Sequence, residues 1–126
     1  MKRFALAAAV AAVALPAMAE DITIGFAIAK SGWMEAYDTP AATAAKIRID
    51  EINANGGVDG RKIEIISADT KTDRQQSAKA GLQVIDDGAD MMIVSCDYDF
   101  GAPAALSAEA ERMVSFFLCA EDVKAG

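Results

Sequence analysis

Residues 90–103 read D-M-M-I-V-S-C-D-Y-D-F-G-A-P, and this stretch decides the fold class. Met91 to Val94 form a short apolar run without alternating polar residues, which predicts a strand buried on both faces. The segment Ser95 to Phe100 is polar and aromatic, and Gly101 and Pro103 then favour the start of a helix. A buried strand followed by a loop and a helix is the unit of an open α/β sheet. Ligands of such sheets bind beyond the carboxyl ends of the strands.

The amino terminus has the pattern of a secretory signal peptide. Lys2 and Arg3 precede an apolar run from Phe4 to Leu15, and Ala17-Met18-Ala19 matches the small-residue cleavage pattern. The apolar run is shorter than the roughly 20 residues that a membrane span requires. We therefore expect residues 1–19 to be a signal peptide, with no membrane insertion after its removal and a periplasmic location.

The charge balance and the missing histidine exclude several classes of function. Without the leader, 10 basic and 19 acidic side chains remain, a formal charge of −9. This balance argues against binding to nucleic acid. The chain has no histidine, so histidine-ligated zinc sites and histidine-based catalytic triads are excluded. We expect no metal and no cofactor.

The chain has two cysteines, Cys96 and Cys119. We favour two small buried thiols, because the pair lacks the spacing of a redox motif. Both residues follow predicted strands, however, and an exported chain enters an oxidising compartment, so a disulfide between neighbouring strands stays open.

The rest of the chain alternates strands and helices. Strands are predicted at Asp21 to Lys30, Lys62 to Ala68 and Met113 to Leu118, besides the strand in residues 90–103. The first helix is expected to start at Thr39-Pro40 and to end at Asn55-Gly56-Gly57. The second starts at Asp73 and buries Ala78, Gly81, Leu82 and Ile85, and the third runs from about Ala102 to Arg112. The order β-α-β-α-β-α-β predicts an α/β fold with a doubly wound parallel sheet.

The handedness of the crossovers predicts how this sheet is covered. The second strand, with its alternating pattern, belongs at the edge, so the first crossover runs outward and the next two run back. The first helix then covers one face, and the other two helices cover the opposite face. The third and fourth strands stay bare on the first helix's side. We therefore expect the chain to be the N-terminal piece of a longer protein.

The leader, the opening I-T-I-G-F, Ser31-Gly32 and above all I-N-A-N-G-G-V-D-G-R-K-I-E (Ile52 to Glu64) resemble a known family. The chain is similar to the type I periplasmic solute-binding proteins of ABC importers, in the branched-chain amino-acid (Leu/Ile/Val) group. The resemblance implies two α/β lobes that close on a small solute and dock on permease subunits. Residues 20–126 would be the incomplete N-terminal lobe, part of the first lobe of a type I periplasmic-binding-protein fold.

The resemblance also implies the positions that contact ligand in the first lobe. Tyr37 matches a tyrosine that faces the cleft, and Tyr98 replaces a serine that holds the ligand carboxylate. Cys119 and Glu121 replace an alanine and a threonine that hold the ligand's amino and carboxyl groups. Trp33 stands where small or apolar residues are usual.

The residue types near these positions predict the chemistry of the solute. Aromatic faces at Trp33, Tyr37, Tyr98 and Phe100 lie near the carboxylates of Asp97, Asp99 and Glu121. Such a set suits a cationic or amide-bearing solute, or an aromatic or polyhydroxylated one, and repels a free carboxylate. Each residue also has a structural interpretation: Trp33 and Phe100 could pack against other protein, Asp97 and Asp99 could be turn or cap residues, and Glu121 could be a solvated loop residue.

Three classes of function fit the sequence. The first, which we favour, is a non-catalytic solute-binding subunit of an ABC importer. The second is an extracytoplasmic sensor domain of the same fold. The third, a small α/β enzyme, lacks a phosphate-binding loop, a dinucleotide fingerprint and a serine nucleophile elbow.

Overall fold

The computed structural model of the protein describes residues 20–119. The predicted signal peptide and Glu121 lie outside these residues. Four strands alternate with three helices, as the sequence predicts. In chain order they are β1 (Ile22–Ile28), α1 (Glu35–Ala54), β2 (Ile63–Asp69), α2 (Arg74–Asp86), β3 (Met91–Val94), α3 (Tyr98–Ala110) and β4 (Ser115–Phe117).

The strands form one parallel sheet in the order β2-β1-β3-β4. Ile24 of β1 pairs with Ile65 of β2 on one side and with Met91 of β3 on the other. The predicted edge position of β2 and the parallel arrangement are confirmed. All four carboxyl ends therefore lie at one edge of the sheet.

The two faces of the sheet have different cores. Ala27, Met92 and Val94 face α2 and α3, where they are fully buried with Val84 and Ala104. On the other face, β1 packs its alternate side chains against Ile49 of α1. The prediction that α1 takes one face and the other two helices take the opposite face is confirmed. Outward-facing Phe116 of β4 is exposed, as expected for the strand that α1 leaves bare.

Two helices start earlier than predicted. Helix α1 begins at Glu35 rather than near Thr39, and α3 begins at Tyr98 rather than Ala102. The prolines that we took as first-turn markers lie inside these helices, Pro40 and Pro103 each at the sixth helical position. A proline indicates that a helix is near its start but does not mark its first residue, because a few preceding residues can form a turn on their own.

The buried face of α2 is rotated relative to the prediction. Leu82 is 52% exposed, while Ser77, Ala80, Gly81 and Val84 form the buried stripe. This stripe is made of small residues because α3 lies close against it. A Cβ on Gly81 would come within 2.9 Å of Ala104 Cα. The predicted cap at Asp73 is confirmed, since its side chain accepts a hydrogen bond from Gln76 N.

Cys96 and Cys119 form a disulfide, with their Cα atoms 4.6 Å apart. The expectation of two unpaired thiols is wrong. Val94 pairs with Phe117 in the parallel register, so the residues two positions further along each chain lie side by side. The disulfide therefore joins the segments that follow β3 and β4.

Candidate functional site

The candidate site lies at the carboxyl edge of the sheet, which we call the rim. The segments after β1 and β3, together with the first turns of α1 and α3, carry Trp33, Tyr37, Asp97, Tyr98 and Phe100. Tyr37 and Tyr98 both lie at this edge, because they follow β1 and β3 of the parallel sheet. Both tyrosines lie on first helical turns rather than in loops, because α1 and α3 start early.

Trp33, Tyr37 and Phe100 form a cluster that we call the aromatic wall. The Trp33 ring meets Tyr37 at a centroid distance of 6.3 Å and Phe100 at 5.6 Å, both edge to face. Trp33 is 60% exposed and Tyr37 is 61% exposed. The wall thus combines the segment after β1 with α3 and presents ring surface to solvent. Exposed aromatic rings in contact are typical of surfaces that bind a ligand or a partner.

The segment that carries Trp33 is held by a tight turn. Gly32 has a φ of 82°, and a Cβ there would come within 2.5 Å of Thr72 Oγ1. Thr72 Oγ1 donates to Ser31 O at 2.9 Å and accepts from Met34 N at 3.3 Å. Only glycine fits this turn, which sets the direction in which Trp33 leaves the sheet.

Tyr98 lies apart from the aromatic wall. Its ring stacks on Phe117 with centroids 6.2 Å apart. It also lines a groove of about 650 Å³ that runs between α3 and β4, beside the edge of the sheet. The groove follows the length of α3, so most of its lining lies away from the rim.

The two aspartates near Tyr98 already have partners. Asp97 caps α3, with its Oδ1 accepting from Asp99 N at 2.8 Å. Asp99 pairs with Arg74 at 2.6 Å, and both side chains are more than half exposed. The alternative interpretation of Asp97 as a helix cap is therefore present in the structure, while its contact with a solute stays a prediction. Arg74 adds a cation that the sequence analysis did not place here.

Asp38, beneath the aromatic wall, was missed by the sequence analysis. Its carboxylate is fully buried and accepts from Ala29 N at 2.7 Å, Ser95 Oγ at 2.7 Å and Cys96 N at 2.8 Å. These donors lie just past the ends of β1 and β3. A signal existed in the sequence: an aspartate next to Tyr37, ahead of a proline. It was overlooked because the helix was expected to start at Thr39, which left Asp38 outside it.

Asp69 makes a similar set of bonds on the other side of β1. It accepts from Lys30 N, Ser31 Oγ and Lys71 N at 2.9, 2.7 and 2.8 Å. Partial desolvation by itself would raise the pKa of Asp69. The hydrogen bonds from Ser31, Lys71 and Lys30 outweigh it, and they lower the pKa below its ordinary value. Asp69 therefore ties β2 to the segment after β1 as a carboxylate.

The disulfide brings Cys119 to the rim, next to Cys96. Cys96 donates its N–H to Asp38, so the segment after β4 is linked through the disulfide to the same carboxylate. The predicted ligand contact of Cys119 stays a prediction. Within residues 20–119, no group of three acidic or cysteine side chains is arranged to hold a metal ion.

The rim offers recognition surface, namely aromatic faces and hydrogen-bonding groups over a braced parallel sheet. That combination is typical of the ligand-binding lobes of α/β proteins. In the part of the chain that the structure describes, no helix is long and apolar enough to cross a membrane.

The chain belongs to the periplasmic binding protein family, which it matches over residues 21–125. It is 34% identical over 77 residues to the Leu/Ile/Val-binding protein of Escherichia coli K12. It is 35% identical over 95 residues to the Leu/Ile/Val-binding protein of Citrobacter freundii. These alignments cover 61% and 74% of this chain, but only 21% and 26% of the relatives.

A solved structure shows the same fold. The substrate-binding protein LivJ of the Streptococcus pneumoniae branched-chain amino acid transporter, in complex with isoleucine, superposes with a TM-score of 0.78 and 26% identity. The match covers 83% of this chain and 30% of that one. The predicted resemblance to type I periplasmic solute-binding proteins of the branched-chain amino-acid group is confirmed, and the proteins that the chain matches are binding proteins rather than enzymes.

Proposed function

We propose that residues 20–126 form part of the first lobe of a periplasmic solute-binding protein that delivers a small solute to the permease of an ABC importer. Residues 1–19 would be the signal peptide for export. The solute would be captured between this lobe and a second one, with the rim as half of the binding surface. The exposed aromatic wall at the carboxyl edge of the sheet is the observation that carries this proposal.

The aromatic wall also supports a choice of solute. Ring faces attract cations and stack on planar amide or aromatic groups, whereas a small aliphatic side chain gains only buried area from them. We therefore favour an amide-bearing, aromatic or cationic compound over leucine, isoleucine or valine. The carboxylates favour a cationic solute less than the sequence suggested, because Asp97 caps α3 and Asp99 already pairs with Arg74.

The test is a thermal-shift screen of the full-length protein against benzamide, benzylamine, choline, leucine and valine. We expect benzamide or benzylamine to raise the melting temperature most, since each combines a ring with an amide or a cation. A ligand at 100 times its Kd stabilises the folded state by about 2.7 kcal/mol, which such a screen detects easily.

Substitutions then locate the site. Tyr37→Ala and Trp33→Ala should each weaken binding of the stabilising compound about tenfold, or about 1.4 kcal/mol. Leu82→Ala is the control, because Leu82 is a half-exposed apolar residue in the later part of α2, away from the rim. Stronger stabilisation by leucine or valine would overturn the solute class. Unchanged binding in both rim variants would overturn the site.

A further inference from the structure

We propose that Asp38 is a positioning residue of the solute site, and that its buried carboxylate sets the geometry of the aromatic wall. This inference rests on the proposed function, which it deepens. Asp38 is fully buried, so it would act on the solute site through the segments that it joins.

The bonds of Asp38 connect the two halves of the wall. Trp33 and Tyr37 lie on the segment between β1 and the first turn of α1, while Phe100 lies on α3, after β3. Asp38 Oδ2 accepts from Ala29 N, at the end of β1, and Oδ1 accepts from Cys96 N, past the end of β3. Asp38 itself belongs to the first turn of α1, one residue after Tyr37. Asp38 therefore links the segment that carries Trp33 to the segment that leads to Phe100, beyond the last paired residues of β1 and β3.

Neighbouring contacts show that the junction is compact. Ser95 Oγ also donates to Oδ2, and the Cys96 sulfur of the disulfide lies 3.9 Å from Tyr37 O. Among the described residues, no lysine or arginine pairs with Asp38. Its charge is balanced by hydrogen-bond donors alone, and two of these are backbone N–H groups that cannot act as acceptors.

The substitution Asp38→Asn separates the two strand ends without changing the size of the side chain. An asparagine has one carbonyl oxygen, but the Ala29 and Cys96 N–H groups point at different oxygens of the carboxylate. Whichever way the amide is turned, its NH₂ group faces one backbone N–H. One strand end then loses its bond to this side chain, and we expect Trp33 to shift relative to Phe100.

The experiment is ¹⁹F NMR of the full chain labelled with 5-fluorotryptophan, without ligand. The Trp33 resonance is assigned with Trp33→Phe. We expect Asp38→Asn to shift or broaden this resonance while the protein remains folded. The matched control is Val84→Ala, which opens a cavity in the core between α2 and the sheet and destabilises the fold away from the rim. We expect it to leave the Trp33 resonance in place.

Two results would overturn the proposal: an unmoved Trp33 resonance in Asp38→Asn, or equal shifts in Asp38→Asn and Val84→Ala. If Asp38→Asn does not fold, amide exchange in the unsubstituted protein decides. The Ala29 and Cys96 amides should then exchange with equal protection, because they open together; unequal protection would overturn the proposal.

No step of this test needs a solute. If no compound in the thermal-shift screen stabilises the protein while the Trp33 resonance behaves as expected, the proposed function fails and the role of Asp38 in the wall stands. If a compound binds and the resonance does not respond to Asp38→Asn, the proposed function stands and the role of Asp38 in the wall fails.

Discussion

Two aspartates clamp the end of β1 from opposite sides. Asp38 joins it to the segment after β3, and Asp69 joins the residues that follow it to β2. Each carboxylate accepts three hydrogen bonds, and two of the three donors are backbone N–H groups in both cases. The central strand is thereby fixed where it meets the rim.

Asp69 makes the stability of the protein depend on pH. Its pKa is lowered in the folded state, so its contribution is fully present above the ordinary value of 3.8 and is lost as the pH falls through the folded pKa. We expect the difference in the free energy of unfolding between the protein and Asp69→Asn to be constant near neutral pH and to shrink below about pH 4. Urea denaturation of both forms between pH 7 and pH 3 measures it. A difference that stayed constant down to pH 3 would contradict this assignment.

At the scale of elements, α1 and α3 are built alike. Each has a proline at its sixth position, and each carries a wall residue, Tyr37 or Phe100, at its third. The first turn of each helix therefore extends past the sheet and presents an aromatic side chain at the rim. An early helix start is what turns these two segments from loops into ordered parts of the site.

Helix α3 approaches β4 closely at Gly101. A Cβ there would come within 2.6 Å of Phe117 Cε1 and 2.7 Å of Ser95 O. We expect Gly101→Ala to destabilise the protein by about 1–3 kcal/mol through overpacking, although alanine is the better helix former. Chemical denaturation measures this, with Glu109→Ala on the exposed side of the same helix as a control expected to change stability by less than about 0.5 kcal/mol. Stabilisation by Gly101→Ala would show that α3 does not lie this close.

The disulfide ties β4 to β3 over a sequence separation of 23 residues. A loop of this size predicts a stabilisation of about 3 kcal/mol, mainly through the unfolded state. We expect Cys119→Ala to lower the free energy of unfolding by about that amount. Adding a reductant to the unsubstituted protein should have a similar effect, and should have none on Cys119→Ala. A stability that is insensitive to reductant in both forms would contradict the pairing.

At the scale of the whole molecule, the two faces of the sheet are unequally packed. The face under α2 and α3 holds most of the fully buried side chains, whereas α1 buries only Asp38 and Ile49 below the surface. A helix with so few buried contacts opens at a lower cost than the core does.

We therefore expect α1 to exchange its amide hydrogens faster than α2 and β3. Native-state hydrogen exchange by NMR tests this. Ile49→Ala should speed exchange in α1 further and change the protection of α2 less, because Ile49 packs on the opposite face from α2. Equal protection of α1 and α2 would show that the sheet and all three helices open as one unit.

Much of the fold could be predicted from the sequence because its signals are local. The apolar run of β3, the alternation in β2 and the short connections lead to four parallel strands, and the handedness of the crossovers leads to their order. The buried stripe of α2 was predicted one position off: Gly81 is buried as predicted, but the close approach of α3 selects the small side chains of Ser77 and Ala80 for the interior instead of Leu82. The candidate rim was predicted as an edge of the sheet, but not as a wall of contacting rings.

The sequence alone thus determined the fold class, the strand order and the edge of the sheet where the aromatic residues lie. These features follow from local patterns, namely the periodicity of apolar residues and the length and direction of the connections. Only the tertiary structure decided that Asp38 is buried, that Asp99 pairs with Arg74 and that Cys96 and Cys119 are joined. Asp38 meets its partners Ser95 and Cys96 across 57 and 58 residues of chain. Contacts over such separations depend on how the strands are placed side by side, and no local pattern encodes them.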